Sequence, residues 1–286
     1  MHPEGGAGVQ AARAANGATT FPSAAEYAAR FTAHGGADLH YLAIHYRRFC
    51  VTKTIFESTW RQRGRRLLDI GAHFLHHSLL YALDGYAVTA VDLPQAISSP
   101  QTAALARASG ITLIENDDLE DPAGLRRLPE GSFDVILFTE IIEHLTFNPV
   151  AMWRELHRLL AVGGRIVITT PNHYALGGRF WDLRRGLGRM GGGVTVDEIV
   201  GRHTLGQHWK EYSLGELRRY FELLSPDFVI RKALYVEAFD DPEARLPLRM
   251  RPGRFLCRAV PLLRPNLHME VELTGRQHGI VAVPRW

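Results

Sequence analysis

From Arg66 onward, short runs rich in Leu, Ile and Val alternate with helix-patterned stretches: RLLDI, LLYAL, AVTAVD, QTAALARA, ITLIE, DVILF, VAMWRELHRLL and RIVITT. That alternation predicts an α/β fold, a doubly wound, mostly parallel sheet with crossover helices on both faces. Ligands then belong at the carboxyl ends of the strands. A chain of 286 residues suits one such domain with additions.

The additions are legible as breaks in the rhythm. Residues 1–20 are Gly/Ala-rich without apolar periodicity and read as a disordered tail. Within 21–62, AAEYAARF and LHYLAIHYRRFCVTKTIFESTW carry apolar residues at helical spacing, predicting an N-terminal helical cap over a substrate pocket ahead of the main domain, 63–286. After ITTPN the pattern stops for about 40 residues, so Asn172 to Tyr212 reads as a lid insertion. SLGELRRYFELL and FVIRKALYVEA then resume helix and strand, and LHMEVELT and HGIVAVPRW read as a closing pair of strands.

Composition narrows the setting. Cys50 and Cys257 lie far apart, which indicates neither a disulfide framework nor a Cys-based zinc site and fits a reducing cytoplasm. There is no signal-peptide pattern and no run of about 18 uncharged apolar residues, so a soluble cytoplasmic protein is expected. The formal charge of +3 gives nucleic acid little support as a partner. Two basic stretches stand out. The lid sets Arg179, Arg184, Arg185 and Arg189 among Phe180, Trp181 and Leu183, suiting an anionic or sugar-bearing substrate as readily as a solvated face. RLPLRMRPGRFLCRAVPLLRP mixes arginines with apolar residues in a way that suits peripheral contact with an anionic membrane. Oligomeric state leaves no signal.

The turn after RLLDI carries the cofactor question. A dinucleotide turn needs three glycines, because the backbone must approach a pyrophosphate. Here Gly71 is followed by Ala72, His73, Phe74 and Leu75, which argues against NAD or FAD. An acid, Asp92, nevertheless ends the second strand about 20 residues later, where a carboxylate accepts ribose hydroxyls. A ribose without a pyrophosphate is a nucleoside.

DIG at 69–71, VTAVD at 88–92, NDDLED at 116–121, FDVILFTEIIEHL at 133–145 and LHRLLAVGGRIVITTPN at 156–172 together resemble the class I S-adenosylmethionine-dependent methyltransferases, over roughly residues 63–170. The resemblance implies a seven-stranded Rossmann-like sheet and S-adenosylmethionine as cofactor. It implies cofactor contacts from Asp69, Gly71, His73, Asp92, Leu93, Asp118 (with Asp117 next), Leu119 and Thr139. The departure is HFL, which replaces a GxGxG-like turn beside the expected methionine moiety; His73 or backbone at Gly71 would supply its polar partners.

EIIEH, following the fourth strand, is similar to the loop of ubiquinone-pathway O-methyltransferases and of small-RNA 3′-terminal 2′-O-methyltransferases. If the segment is helical, Glu140, Glu143 and His144 share a face toward the substrate as catalytic residues. The RNA enzymes imply a divalent metal on Glu140, Glu143, His144 and a later histidine, here His208 in GQHWKEYS, with His203 next. Two carboxylates and two imidazoles suit Mg²⁺, Mn²⁺, Fe²⁺ or Zn²⁺, and a metal would acidify a bound hydroxyl. Without metal, His144 serves as general base, or the pair merely packs, and Ser213 with Glu216 forms a capping box. The His73, His76 and His77 cluster reads as packing rather than a second metal site.

The expectation is an S-adenosylmethionine-dependent O-methyltransferase acting on a hydroxyl of a small molecule, sugar or glycan. Its rivals are a 2′-O-methyltransferase of an RNA 3′ end and a methyltransferase-like scaffold with a degenerate cofactor turn.

Overall fold

The computed structural model describes residues 21–36, 38–60, 65–116, 118–183, 187, 193–237 and 251–285. The 1–20 tail, Asp117, lid arginines 184, 185 and 189, and all of RLPLRM lie outside the described residues. The apolar runs from Arg66 form β1 (Arg66–Ile70), α3 (Ser78–Leu83), β2 (Ala87–Asp92), α5 (Pro100–Ser109), β3 (Thr112–Glu115), β4 (Phe133–Thr139), α6 (Val150–Leu159) and β5 (Leu160–Pro171); a short α4 (Pro94–Ile97) follows β2. Helices α1 (Ala24–Thr32) and α2 (Leu39–Glu57) precede them. Helices α7 (Val196–Gly201), α8 (Leu214–Leu224) and α9 (Arg251–Ala259) and strands β6 (Phe228–Val236) and β7 (Asn266–Leu273) follow.

The seven strands form one sheet in the order β3-β2-β1-β4-β5-β7-β6. All neighbours pair in parallel except β7, which runs antiparallel to both β5 and β6. Both faces are covered, as continuous apolar strands require. In β4, Ile136 and Phe138 pack with Trp153 and Leu156 of α6 and Phe221 of α8. The alternate residues Val135 and Leu137 pack with Tyr81 of α3 and with Phe49 and Phe56 of α2. Each fully buried Leu, Ile or Phe contributes about 1.5–3 kcal/mol, so the two layers fix the sheet on which the site stands. Helix α2 thus belongs to the core along its length, through Leu42, Tyr46, Phe49 and Phe56.

Two local expectations are corrected. HGIVAVPRW adds no strand: residues 278–285 are irregular, because both edges of β7 are already taken by β5 and β6. The segment instead packs Ile280 and Ala282 on the core, and the Asp227 carboxylate accepts the N–H groups of His278 and Gly279. EIIEH is not an α-helix, since only Ile142–His144 form a 3₁₀ turn and Glu140 takes a left-handed φ of 56°. The segment expected as an insertion, 172 to 212, holds α7 and two 3₁₀ turns among its described residues, and its ends meet in one bridge between Asn172 and Tyr212. Ser213 caps α8, with the Glu216 carboxylate returning to its backbone N–H, so HWKEYS does start that helix.

Candidate active site

Three alternate residues of the turn after β1 take left-handed backbone, and only the first of them is glycine. Gly71, His73 and Leu75 all have positive φ, at 76°, 51° and 69°. For His and Leu that conformation costs roughly 1 kcal/mol or more each. Glycine is favoured at 71 on two counts: its positive φ, and the 2.1 Å that would separate a Cβ there from Cδ1 of Ile141, which would have to move. Leu75 is repaid by complete burial in the core. His73 donates its backbone N–H to Asp92 Oδ2 at 2.5 Å.

The predicted cofactor residues lie along the carboxyl ends of β1 to β4. Asp92 ends β2 and accepts one backbone N–H on each oxygen, from His73 and from Leu93 at 2.6 Å, leaving lone pairs for two hydroxyls. Asp69 sits deeper, 1% exposed, accepting the Ser78 hydroxyl at 2.6 Å. Burial, with Asp92 nearby, pushes its pKa up to about 7 against that hydrogen bond. Asp118 follows β3, is exposed, and accepts the Glu120 N–H, while half-buried Leu119 packs on the core. Thr139 ends β4, opposite Thr169 of β5.

In the loop after β4, the structure brings Glu143 and His144 together with His208, while the Glu140 carboxylate is engaged elsewhere. One donor atom from each of the three lies within 4.8 Å of the others. Glu143 is fully buried; Thr170 donates to its Oε2 at 2.9 Å, and its Oε1 has no hydrogen-bond partner. Burial, then the charge of Glu140, holds its pKa well above the carboxylate range. His144 places Nδ1 2.9 Å from the Gln207 carbonyl, which only accepts, so Nδ1 carries the proton and Nε2 the lone pair. Burial, then His208, lowers its pKa. The Glu140 carboxylate accepts the Thr169 hydroxyl at 2.7 Å and faces Arg48 at 3.4 Å. Of the four residues expected as ligands, Glu143, His144 and His208 meet within reach of one ion among the described residues, and Glu140, with its left-handed φ, is outside that group. His203 is exposed and caps a 3₁₀ turn through Nδ1.

Sequence reasoning missed the contribution of α2. Tyr41, His45 and Arg48 recur at i, i+4 and i+7, a polar and aromatic stripe that was the available signal. Arg48 donates to the Tyr41 hydroxyl at 2.8 Å and pairs with Glu140, and the Tyr41 ring lies 5.0 Å from that of His73. One helix therefore touches both the turn and the loop. Burial, then the charge of Arg48, lowers the His45 pKa to about 4. His76 and His77 are buried against Phe31 and Phe49, with ring centroids 4.9 and 5.0 Å apart. Among the described residues they join no metal-binding cluster. Cys50 and Cys257 are free thiols.

A sheet of this order, with its one antiparallel strand and an acid closing β2 beside the turn after β1, defines a class I S-adenosylmethionine-dependent methyltransferase fold. The methyltransferase domain family matches residues 42–224, and the chain belongs to that family. It is 28% identical over 109 residues to the ubiquinone biosynthesis O-methyltransferase of Pseudomonas aeruginosa, a match spanning 38% of this chain and only 45% of the curated relative's length. Two solved structures share the fold. One is an S-adenosylmethionine-dependent methyltransferase from Mesorhizobium loti, 20% identical, with 84% of this chain and 99% of that one covered and a TM-score of 0.50. The other is a methyltransferase of Haloferax volcanii in complex with the Trm112 activator, 13% identical, covering 87% and 98%, with a TM-score of 0.55. Among the described residues no helix is long and apolar enough to cross a membrane.

Proposed function

We propose that the protein is an S-adenosylmethionine-dependent O-methyltransferase whose acceptor is a hydroxyl of a small molecule, sugar or glycan. The observation that carries this reading is the orientation of His144, whose protonated Nδ1 is anchored on Gln207 while Nε2 keeps its lone pair. The name of the Pseudomonas aeruginosa relative supports a hydroxyl acceptor.

The chemistry is an in-line displacement. The acceptor oxygen forms a bond to the sulfonium methyl as the carbon–sulfur bond breaks, the electron pair returns to sulfur, and S-adenosylhomocysteine results. The hydroxyl proton passes to His144 Nε2, whose lowered pKa keeps it neutral and able to accept. Such a base contributes roughly 10²- to 10⁴-fold. Glu140, fixed by Thr169 and Arg48, orients a second hydroxyl of a polyol acceptor.

The buried, unpartnered Oε1 of Glu143 and the spacing to His144 and His208 fit a divalent cation. Those three residues would hold it, His144 Nε2 then serving as a ligand in place of the base, and the bound ion would instead lower the pKa of a coordinated hydroxyl. The same cluster favours the RNA 3′ end as a second acceptor, since its vicinal diol presents equivalent oxygens. On the insertion, Phe180 and Leu183 are 51% and 81% exposed, which suits an acceptor with an apolar portion or one held at a membrane surface.

Calorimetric titration with S-adenosylhomocysteine, before and after chelation, tests the cofactor. Micromolar binding is expected, and none from folded protein sinks the reading in favour of a scaffold. Mn²⁺ titration then tests the ion: Glu143→Gln and His208→Ala lose uptake, whereas Glu140→Gln retains it. Stoichiometric Mn²⁺ in either of the first two removes the metal and leaves the base.

A further inference from the structure

The described elements of the insertion bury no side chain. The 3₁₀ turns Arg179–Trp181 and Thr204–Gly206 and helix α7 contain no buried residue. Hydrophobic burial therefore fixes their positions weakly, and polar bonds must do the rest.

Those bonds converge on Arg179. Its Nη2 donates to Glu198 Oε1 of α7 at 2.9 Å, its Nη1 donates to the carbonyls of His208 at 3.2 Å and Gly193 at 3.4 Å, and its Nε lies 3.5 Å from Glu211 Oε1. Arg179, Glu198 and Glu211 are all half-buried, where charge-assisted bonds are screened less than on an open surface. Although Arg179 is one of the arginines expected to suit an anionic substrate, its guanidinium fork is engaged by the protein.

What Arg179 holds is the backbone of the site. The Gln207 carbonyl accepts His144 Nδ1–H at 2.9 Å, the His208 carbonyl accepts Arg179, and the Trp209 N–H donates to the Glu143 carbonyl at 2.8 Å. Three consecutive residues are thus tied, two to the loop after β4 and the middle one to Arg179. The buried Gln207 side chain adds to the clamp, its Nε2 donating to the carbonyls of Glu198 and Arg202 at 3.0 and 3.2 Å. Glu211, which Arg179 faces, lies 3.9 Å from His208 Nδ1, as a carboxylate that orients the ring.

We propose that Arg179 is a positioning residue of the reacting site: it clamps residues 207–211 between α7 and the loop after β4, so that His208 meets Glu143 and His144 and the Gln207 carbonyl meets His144 Nδ1. It acts through these residues and not by contact with the acceptor. This rests on the reading of Glu143, His144 and His208 given above. A lysine at 179 would carry the charge on a single point of contact, whereas the planar fork reaches several elements at once.

The test reads the site without an acceptor. Arg179→Met keeps the stem and removes the fork. It should weaken Mn²⁺ binding roughly 10- to 100-fold, the usual loss on removing a group behind a metal ligand, while affinity for S-adenosylhomocysteine, whose expected contacts lie on other strand ends, stays at the wild-type value. Arg179→Lys should recover part of the loss. In metal-free protein, long-range ¹H–¹⁵N NMR should show the His144 ring, identified by its absence from His144→Ala, in the neutral Nδ1–H form in wild type and in both neutral forms in Arg179→Met. Arg202→Met is the control: Arg202 also faces Glu198, at 3.7 Å, and its loss should move neither readout. Wild-type Mn²⁺ affinity together with an unchanged His144 tautomer in Arg179→Met overturns the proposal and leaves the reading of the site intact. A parallel loss of S-adenosylhomocysteine binding, or the same Mn²⁺ loss in Arg202→Met, also overturns it, because Arg179 would then merely steady the chain. If wild type takes up no Mn²⁺, the metal reading falls and the His144 tautomer decides alone. A wild-type His144 that lacks the Nδ1 proton removes the base reading and the proposal with it.

Discussion

The turn after β1 and the loop after β4 both hold residues in the left-handed region, by different physical means. In the turn, Gly71 has Ile141 against it and Leu75 is sealed in the core, so packing holds the backbone. In the loop, Glu140 is held by hydrogen bonds: its N–H to the Thr169 carbonyl at 2.8 Å, its carboxylate from the Thr169 hydroxyl, and the ion pair with Arg48. Packing responds to volume and hydrogen bonds to the loss of a partner, so the two regions should fail under different substitutions.

The largest effect is expected from volume in the turn. Gly71→Ala meets both a positive φ and the Ile141 side chain, and should cost about 3 kcal/mol in urea denaturation. Adding Ile141→Ala removes the clash but keeps the backbone penalty, so in an Ile141→Ala background Gly71→Ala should cost only part of its original loss. A single-variant loss below about 1 kcal/mol would mean that the turn is not held by packing.

A smaller effect separates the regions by pH. His77, 5% exposed and stacked on Phe49, has its pKa pushed down to about 3 by burial, with Arg48 and Lys53 adding to it. Its folded pKa lies below the unfolded value, so the unfolded chain binds the extra proton between the two. The stability is complete above the unfolded pKa of about 6.5 and is lost as pH falls toward the folded value. The loss should reach about 2 kcal/mol at pH 5. His77→Leu should flatten that slope between pH 7 and 5, and an unchanged slope would show that the imidazole is not kept neutral by the fold.

What the sequence disclosed follows the same division. The alternation of RLLDI, AVTAVD and DVILF with helical runs is a packing signal, set by period and side-chain type, and it was enough to place the strands and the acid at Asp92. Backbone conformation was not legible at His73, Leu75 and Glu140, because these residue types seldom adopt positive φ and nothing local announces it. Glu140 was therefore grouped with Glu143 and His144 on a helical face that the chain does not form. The reach of Arg48 to Glu140 was hidden as well, since it joins residues 92 positions apart and shows only as a stripe on α2. HGIVAVPRW carried a genuine apolar run, but strand formation depends on a free sheet edge, which no local pattern encodes.

The smallest effect probes the hydrogen-bonded region. Thr169 is 1% exposed, and valine matches its shape, so Thr169→Val changes no volume and removes one donor from the Glu140 carboxylate. The backbone bond from Glu140 N–H to the residue 169 carbonyl survives, and Arg48 still faces the other oxygen. A loss of about 1 kcal/mol is expected, that of one buried hydrogen bond whose acceptor retains a partner. Paired with Arg48→Met, the two losses should exceed their sum, because the second change leaves the half-buried carboxylate without compensation. Strict additivity in that cycle would mean that the carboxylate is solvated independently of either partner and that the loop, like the turn, keeps its shape through the side chains packed around it.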